Sequence, residues 1–334
     1  MNVFADYHHG GLYHSLTLQF VKRLGFNLFR PIGMEWVNQH IWQYSDNPDT
    51  QKQYLDPAGC ELRPDGYYYW RDQAEEIDHK CLTFEQFNSM KIDLIIGSCS
   101  QHEIPFAYLQ KRFKPEAKYI RLTGNSGEPV DWAVSRNIID TTNLYIAPPG
   151  INRVVIHQEF PLDHFFYQAP PQVNRIRSYL NCMPESPYYS IWHDYKSKMP
   201  DFEWKMHGHN GDDKFISPMS ALAQSMRETT FVWHIKHHGE GFGHIIHNCF
   251  AIGRPVITVR RFYEGKMIYP MLKDGKTCID LSDKPMEYNI SRIRELAKPQ
   301  ELLYLCTNCQ KEFQNNVDFN EDERKLRGFL SRLL

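Results

Sequence analysis

Short apolar runs alternate with amphipathic segments along most of the chain, which is the pattern of an α/β protein. The first run lies at residues 2–7 (NVFADY) and is followed by a glycine-containing stretch, HHGGLYHS, at 8–15. Residues 16–26 then carry apolar side chains at helical spacing, and residues 27–33 (NLFRPIG) form a second apolar run. This order of strand, glycine loop, helix and strand predicts the first βαβ unit of a doubly wound parallel sheet.

Four further apolar runs continue this pattern in the first half of the chain. They lie at residues 91–98 (KIDLIIGS), 118–125 (KYIRLTGN), 143–149 (NLYIAPP) and 153–160 (RVVIHQEF). Each is short enough to be one strand. Residues 38–90 interrupt the pattern, because they are rich in Tyr, Trp, Pro and Asp and show no apolar periodicity. We therefore predict an irregular, aromatic-rich insertion at about 38–90 that covers the sheet and is not part of it.

A proline-rich segment at residues 168–174 (QAPPQVN) separates this half from a second region in which strand and helix patterns alternate again. The predicted elements are strands at 175–180, 202–208, 231–236 and 254–259, and helices at 186–201, 217–229 and after residue 243. We place the domain boundary near residue 170.

The end of the chain, residues 318–334 (DFNEDERKLRGFLSRLL), has the pattern of a capped amphipathic helix. Its apolar residues recur at helical spacing: Leu326, Phe329, Leu330 and Leu333. Such a face must pack on another part of the protein. The predicted division is therefore 1–169, 170–315 and 316–334, with the last segment packing back on the first.

The composition is that of a folded, globular chain. Of 334 residues, 42% are hydrophobic and 23% charged, which is enough apolar material for two cores. The net charge of −2 creates no general attraction to nucleic acid or anionic membranes. The sequence shows neither a signal peptide nor an apolar run long enough to span a membrane. We expect a soluble, cytoplasmic protein with reduced cysteines, and the lone CxxC pair, Cys306 and Cys309, is weak support for zinc.

Candidate chemistry is concentrated in residues 240–258 (EGFGHIIHNCFAIGRPVIT). Gly241 and Gly243 allow a tight turn before a helix, and the free N–H groups of a helix N-terminus favour an anion such as phosphate. Polar residues recur at four-residue spacing on the predicted helix: Glu240, His244 and Asn248. Side chains at this spacing share one face, so we predict a row of ligand-facing groups.

This stretch resembles the motif of GT-B glycosyltransferases of the retaining Glu-x7-Glu type. The matching positions are Glu240, Gly241, Phe242, Gly243, Ala251, Gly253, Pro255 and Val256. Asn248 stands where that family has its second glutamate. The resemblance implies that Glu240 contacts the transferred sugar, that Phe242, Gly243 and His244 line the donor site, and that Asn248 accepts a hydrogen bond from the nucleotide ribose.

The N-terminus is similar to the first βαβ unit of the same family at Gly10, Gly11 and Gly25. In that family the two adjacent glycines approach the diphosphate of the donor. The resemblance implies a GT-B fold, in which two Rossmann-like domains face a cleft and the C-terminal helix crosses back to the N-terminal domain. It also implies a nucleotide-sugar donor, most simply a UDP-sugar, and no metal. The chain further resembles glycosyltransferases of bacteriophage type, which implies the host cytoplasm as its location.

His8 and His9 follow the first strand, where the inverting branch of this fold carries its catalytic base, and Asp6 is near enough in sequence to orient one of them. The Glu-x7-Glu likeness instead favours retention of anomeric configuration, in which the donor phosphate helps to move the proton. We favour retention. Loop histidines that are merely polar surface groups are the alternative.

The segment GHNGDD follows a predicted strand, where open α/β sheets bind ligands, so Gly208, His209 and Asn210 are candidate nucleotide contacts. A simple Asn-Gly turn is the alternative. Lys236 is a candidate cation for the departing diphosphate. His234 and His238 are spaced four residues apart, but this spacing falls across a strand and a loop and supports zinc only weakly.

The sequence thus predicts a glycosyltransferase that moves a sugar from a nucleotide-sugar to an acceptor hydroxyl. Two alternatives share the fold: a non-catalytic sugar-nucleotide-binding protein, which the missing second glutamate favours, and a nucleotide-sugar epimerase. The acceptor stays open among hydroxymethylated pyrimidines in phage DNA, a glycan and a small molecule. The near-neutral charge argues mildly against tight binding of DNA.

Overall fold

The structure, a computed structural model, describes residues 1–7, 9–33, 59–181, 183–236 and 240–334. The chain divides into two compact units. The first unit contains residues 1–159 and 319–334, and the second contains residues 160–318.

The division falls ten positions before the predicted boundary near residue 170, because the segment from Phe160 onward packs within the second unit. The Phe160 ring lies 5.8 Å from the ring of Phe313 and 5.5 Å from that of Phe165. The proline-rich segment therefore belongs wholly to the second unit.

The first unit is built on one sheet, whose described strands follow the order β3-β4-β5-β2-β1-β6-β7-β8-β9. The strands are β1 (Asn2–Ala5), β2 (Asn27–Pro31), β3 (Cys60–Leu62), β4 (Tyr68–Asp72), β5 (Ile77–Leu82), β6 (Leu94–Gly97), β7 (Lys118–Thr123), β8 (Asn137–Asp140) and β9 (Asn152–Val155). Their pairing is parallel except along β4, which is antiparallel to β3 and β5. The direction of winding reverses between β1 and β6, so this pair is the topological switch point of the sheet.

Alternating residues of the central strands bury their side chains on opposite faces of the sheet. Val3 and Ala5 join one core cluster, whereas Phe4 joins the other. Each fully buried side chain of this size contributes roughly 1.5–3 kcal/mol. Strands that are covered on both faces are continuous apolar runs in the sequence. Strands β1, β6 and β7 have this pattern, and their prediction is confirmed.

Two predictions for the sheet of the first unit are wrong. Residues 60–82 of the supposed irregular insertion form β3, β4 and β5 and extend the sheet, because their alternating aromatic and charged residues suit a half-exposed antiparallel edge. Residues 143–149 are not a strand: two prolines deny them ladder hydrogen bonds, and Ile146 is 94% exposed. The strand in this part of the chain is β8, which comes just before. Residues 38–58 of the insertion fall in the part of the chain outside the described residues.

The helices of the first unit cover both faces of the sheet. They are α1 (Gly10–Leu16), which continues as a π-helix (Thr17–Arg23), α2 (Phe84–Ser89), α3 (Ser100–Phe113) and α9 (Phe319–Leu333). The glycine loop predicted at 8–15 is instead largely helical, because α1 begins at Gly10. The C-terminal helix packs on the first unit as predicted, with Phe329 in the same core cluster as Val3. His157 Nδ1 lies 2.7 Å from Asp322 Oδ2 and anchors this helix beside β9.

The second unit has a sheet of parallel strands, in the order β11-β10-β12-β13-β14 over its described residues. The strands are β10 (Arg175–Ser178), β11 (Glu203–Met206), β12 (Phe231–Trp233), β13 (Val256–Thr258) and β14 (Cys278–Asp280). The helices are α4 (Tyr189–Lys198), α5 (Met219–Arg227), α6 (His244–Ile252), α7 (Met286–Leu296) and α8 (Pro299–Asn316). The strands and helices predicted for 175–259 are confirmed. Across the described part of the chain, no helix is both long and apolar enough to cross a bilayer.

Candidate active site

A buried carboxylate lies between the end of β12 and the start of α6. Glu240 is only 8% exposed, and its Oε2 lies 3.4 Å from His234 Nε2 and 3.5 Å from Lys236 Nζ. Burial raises the pKa of Glu240, but His234, Lys236 and Lys266 together outweigh that effect and lower the pKa to about 2. Glu240 is therefore an ionised carboxylate inside the protein, a costly state that is typical of functional sites.

Lys266 is a second cation near this carboxylate, and sequence reasoning missed it. It follows the 3₁₀ turn Arg260–Tyr263 and is 6% exposed, with Nζ 5.2 Å from the centre of the Tyr263 ring. Burial lowers its pKa, while the nearby Glu240 opposes this shift. Within the described residues, no carboxylate lies within 4.0 Å of its ammonium group. The segment YEGKM around Lys266 carries no motif, so the proximity of Lys266 to Glu240 arises only when the chain folds.

The N-terminus of α6 lies next to this charge cluster along the chain. Its N-cap, Gly243, has φ +81 and ψ +45, a left-handed conformation that glycine adopts without strain. A Cβ atom at this position would lie 3.3 Å from Ile268. The glycine is thus needed for the turn and for close packing against Ile268, and its role toward a phosphate stays a prediction.

The predicted ligand-facing row on α6 is largely buried, because α6 packs between α5 and α8 and is covered on several sides. The role of this row toward a ligand stays a prediction. His247 and Asn248 are both 0% exposed, whereas His244 is partly accessible. The His247 ring stacks on Phe242, with centroids 3.9 Å apart, and its Nδ1 donates to the Gly243 carbonyl at 3.0 Å. Phe242 and His247 therefore stiffen the turn; Gly241 is buried in the same turn.

Asn248 is fully buried with an unsatisfied side chain. Neither its Oδ1 nor its Nδ2 has a hydrogen-bond partner among the residues that the structure describes. Leaving a buried amide unpaired costs on the order of 1–3 kcal/mol. The role of Asn248 toward ribose stays a prediction, and its unpaired amide is the kind of group that a ligand would satisfy.

Gly208, His209 and Asn210 follow β11, as predicted, and make contacts within the protein. A Cβ atom on Gly208 would lie 2.1 Å from the Leu180 carbonyl oxygen, so only glycine fits there. The His209 amide donates to Asn181 Oδ1 at 3.0 Å, and Asn210 Nδ2 donates to Glu185 Oε1 at 2.9 Å. These contacts tie the loop after β11 to the loop after β10. Their role toward a nucleotide stays a prediction.

Three further residues, in or near the motif, are structural. Arg254 is 0% exposed and donates hydrogen bonds to the carbonyl groups of Gln168, Ala169 and Arg227, so it anchors the proline-rich segment. Cys306 and Cys309 are 0% exposed in α8, and burial raises the pKa of both thiols. His238 lies outside the described residues.

In the first unit, Asp6 pairs with residues that the sequence did not indicate, and its predicted orientation of His8 or His9 stays a prediction. Asp6 accepts hydrogen bonds from the Ser98 amide and from His102 Nδ1, the latter at 2.5 Å. Burial lowers the pKa of His102, but its interactions with Asp6 and Cys99 together outweigh burial and raise the pKa to about 10. His9 is exposed at the start of α1, and His8 lies outside the described residues.

Cys99, the N-cap of α3, brings a thiol to the same cluster, so that ligand atoms of Asp6, Cys99 and His102 lie within 4.8 Å of one another. This mixture of ligands is typical of zinc. However, two ligand atoms around tetrahedral zinc are roughly 3.3 Å apart, whereas the Asp6–His102 contact is 2.5 Å. We interpret the cluster as an ion pair with a neighbouring thiol.

An acidic side chain lies next to Gly10 in the first unit. Both glycines belong to the first turn of α1. A Cβ atom on Gly10 would lie 3.2 Å from Glu75 Oε1 and from the Tyr7 hydroxyl, and the same carboxylate contacts His14 at 2.9 Å. The carboxylate of Glu75 thus lies beside the start of α1, and the role of Gly10 and Gly11 toward a diphosphate stays a prediction.

No known family model matches the sequence, and neither does any curated protein. Solved structures do match. Sucrose-phosphate synthase from Thermosynechococcus elongatus has a TM-score of 0.65 at 11% identity, over 100% of this chain and 99% of that one. Anabaena HepE in complex with UDP-glucose gives 0.66 at 12% identity, over 99% and 100%. The pneumococcal O-GlcNAc transferase GtfA in complex with UDP and GlcNAc gives 0.59 at 10% identity, over 99% of each chain.

At such low identities the likeness shows the fold. This chain has the two-domain GT-B fold, with a Rossmann-like parallel sheet in each domain. The fold implied by residues 240–258 is thereby confirmed, including the C-terminal helix that returns to the first unit.

Proposed function

We propose that this protein is a nucleotide-sugar-dependent glycosyltransferase whose donor binds to the second unit beside Glu240. One observation carries the proposal: an ionised, 8% exposed carboxylate adjoins two lysines and a glycine-capped helix N-terminus. Similar structures support a UDP-sugar as donor, since HepE was crystallised with UDP-glucose and GtfA with UDP and GlcNAc.

The charges of this cluster suit sugar transfer. Cleavage of the glycosyl-phosphate bond leaves a nucleoside diphosphate whose negative charge must be stabilised. Lys236, Lys266 and the free amides of α6 supply positive charge for that purpose. Because these groups do the work that a cation would otherwise do, we propose transfer without a metal.

Glu240 suits the sugar end of the donor. Its carboxylate can accept hydrogen bonds from sugar hydroxyls and can stabilise the positive charge that develops on the sugar ring in the transition state. Asn248 is proposed to hydrogen-bond the ribose with its unpaired amide. On the resemblance to the Glu-x7-Glu type, we propose that transfer proceeds with retention to an acceptor hydroxyl, in DNA, a glycan or a small molecule.

The direct test is incubation with UDP- and GDP-sugars, with release of the nucleoside diphosphate as the readout. We expect slow hydrolysis of at least one UDP-sugar and no change on addition of EDTA. Calorimetry should show UDP affinity falling on the order of tenfold in Lys266→Met, a change of about 1.4 kcal/mol. Lys276→Met is the matched control, because Lys276 is exposed in the same region. Equal affinity in both variants would contradict a donor site at Lys266.

A non-catalytic sugar-nucleotide-binding protein is the second candidate, and the replacement of a family glutamate by Asn248 favours it. UDP binding without release of nucleotide from any UDP- or GDP-sugar would support this candidate. Conversion of the donor into an isomer, with no loss of nucleotide, would instead indicate an epimerase.

A further inference from the structure

His234 contacts Glu240 and lies on a segment whose backbone is held by hydrogen bonds. Its amide donates to the Ile257 carbonyl at 2.9 Å, and its own carbonyl accepts from Thr258 Oγ1 at 2.6 Å and from the Tyr263 hydroxyl at 3.2 Å. The residue is thus held by its neighbour strand β13 and by the following turn. The backbone position from which the His234 side chain extends is therefore fixed.

The imidazole ring of His234 is 1% exposed, and Glu240 is its one charged contact within the described parts of the chain. Nε2 lies 3.4 Å from Glu240 Oε2. Neither ring nitrogen has a shorter hydrogen bond among those residues. A small movement of Glu240 would therefore complete a hydrogen bond that satisfies both buried groups.

Three further titratable groups surround the pair: Lys236, Lys266 and Tyr263. The Lys236 side chain is 38% exposed and flexible, so it supplies charge without a fixed direction. Lys266 acts on Glu240 through its charge. The Tyr263 ring lies 6.2 Å from the His234 ring, and its hydroxyl is engaged with the His234 backbone. Of these groups, the short and buried imidazole is best placed to fix the orientation of the carboxylate.

We propose that His234 is the positioning residue of Glu240, donating from Nε2–H to Oε2 so that Oε1 is aimed at the sugar. This inference rests on the proposed function. In this proposal His234 does not contact the donor itself but sets the geometry of the carboxylate that binds the sugar.

The first experiment compares three variants in steady-state sugar transfer or donor hydrolysis. His234→Phe keeps a ring without a donor, and we expect kcat to fall at least tenfold while the donor KM changes less than twofold. His234→Gln places an amide N–H near the position of Nε2 and should recover most of the activity. His193→Phe, an exposed histidine on α4, is the control. In the profile of kcat against pH, the acidic limb should move to higher pH in His234→Phe, because the ionised carboxylate of Glu240 loses a hydrogen-bond donor. An unmoved limb, or no recovery in His234→Gln, would overturn the proposal.

The second experiment needs no activity. Long-range ¹H–¹⁵N correlation spectra of the ligand-free protein distinguish a protonated from an unprotonated ring nitrogen. We expect Nε2 of His234 to be protonated in the wild type, and its resonance to shift in Glu240→Ala. An unprotonated Nε2, or identical spectra in both proteins, would overturn the positioning role even in an active enzyme. Conversely, the spectra could match the expectation while the protein is inactive toward every nucleotide-sugar. That result would overturn the proposed function but would establish the hydrogen bond between His234 and Glu240.

Discussion

Asp6 Oδ2 lies 2.5 Å from His102 Nδ1, so two residues 96 positions apart form a buried ion pair at the switch point of the first sheet. Removing one member of such a pair leaves the other charge buried alone, which typically costs about 3–5 kcal/mol. We expect His102→Leu to destabilise the protein by that amount, as measured by urea unfolding.

The same pair predicts a pH dependence. The pKa of His102 is raised from 6.5 to about 10, so its stabilising charge is fully present below pH 6.5 and is lost as the pH rises toward 10. The pKa of Asp6 is lowered from 3.8, so its contribution is present above that pH and is lost below it. The thermal midpoint should therefore fall between pH 7 and pH 10, and should fall less in His102→Gln. Parallel curves for the two proteins would count against the ion pair.

Glu240→Gln keeps the size of the side chain and removes its charge. If this carboxylate stabilises positive charge on the sugar in the transition state, kcat should fall by about a hundredfold or more, equivalent to roughly 2.7 kcal/mol, while UDP affinity changes little. Steady-state kinetics and calorimetry measure the two quantities. Glu264→Gln, an exposed glutamate nearby, is the control. Wild-type turnover in Glu240→Gln would place the chemistry elsewhere.

Asn248→Leu should have opposite effects on the free and the ligand-bound protein. The substitution removes an unpaired, fully buried amide, so the ligand-free protein should unfold at an equal or higher temperature. If the amide binds ribose, UDP affinity should drop on the order of tenfold, about 1.4 kcal/mol. Thermal unfolding with and without UDP tests both effects. Lower stability together with unchanged affinity would show that the amide serves packing.

Gly243→Ala should destabilise the second unit through two separate causes. The backbone is left-handed, with φ +81, and the new Cβ would lie 3.3 Å from Ile268. Left-handed backbone costs an L-residue about 1–2 kcal/mol. Gly127→Ala is the matched control, because Gly127 has φ +78 with nothing within 4 Å. Urea unfolding should show the larger loss for Gly243→Ala, and equal losses would mean that Ile268 yields to the new methyl group.

The strands of both sheets and the motif at Glu240 follow largely from local sequence. Strands buried on both faces, such as β1 and β12, are continuous apolar runs, and the turn between Glu240 and Gly243 is encoded by adjacent residues. The aromatic edge β3–β5 was missed for the same reason. Its strands are half exposed, their pattern is mixed, and they are stabilised by pairing with one another and with β2.

The chemistry around these elements depends on contacts that only folding creates. His102 reaches Asp6 because β1 and β6 are neighbours in the sheet, although the β2–β5 segment separates them in sequence. Lys266 acts on Glu240 from a turn that carries no motif. Asn248, which the helical period places in one row with Glu240 and His244, is buried because neighbouring helices cover α6. Local periodicity specifies which residues share a face, whereas burial and charge depend on what the tertiary structure packs against that face.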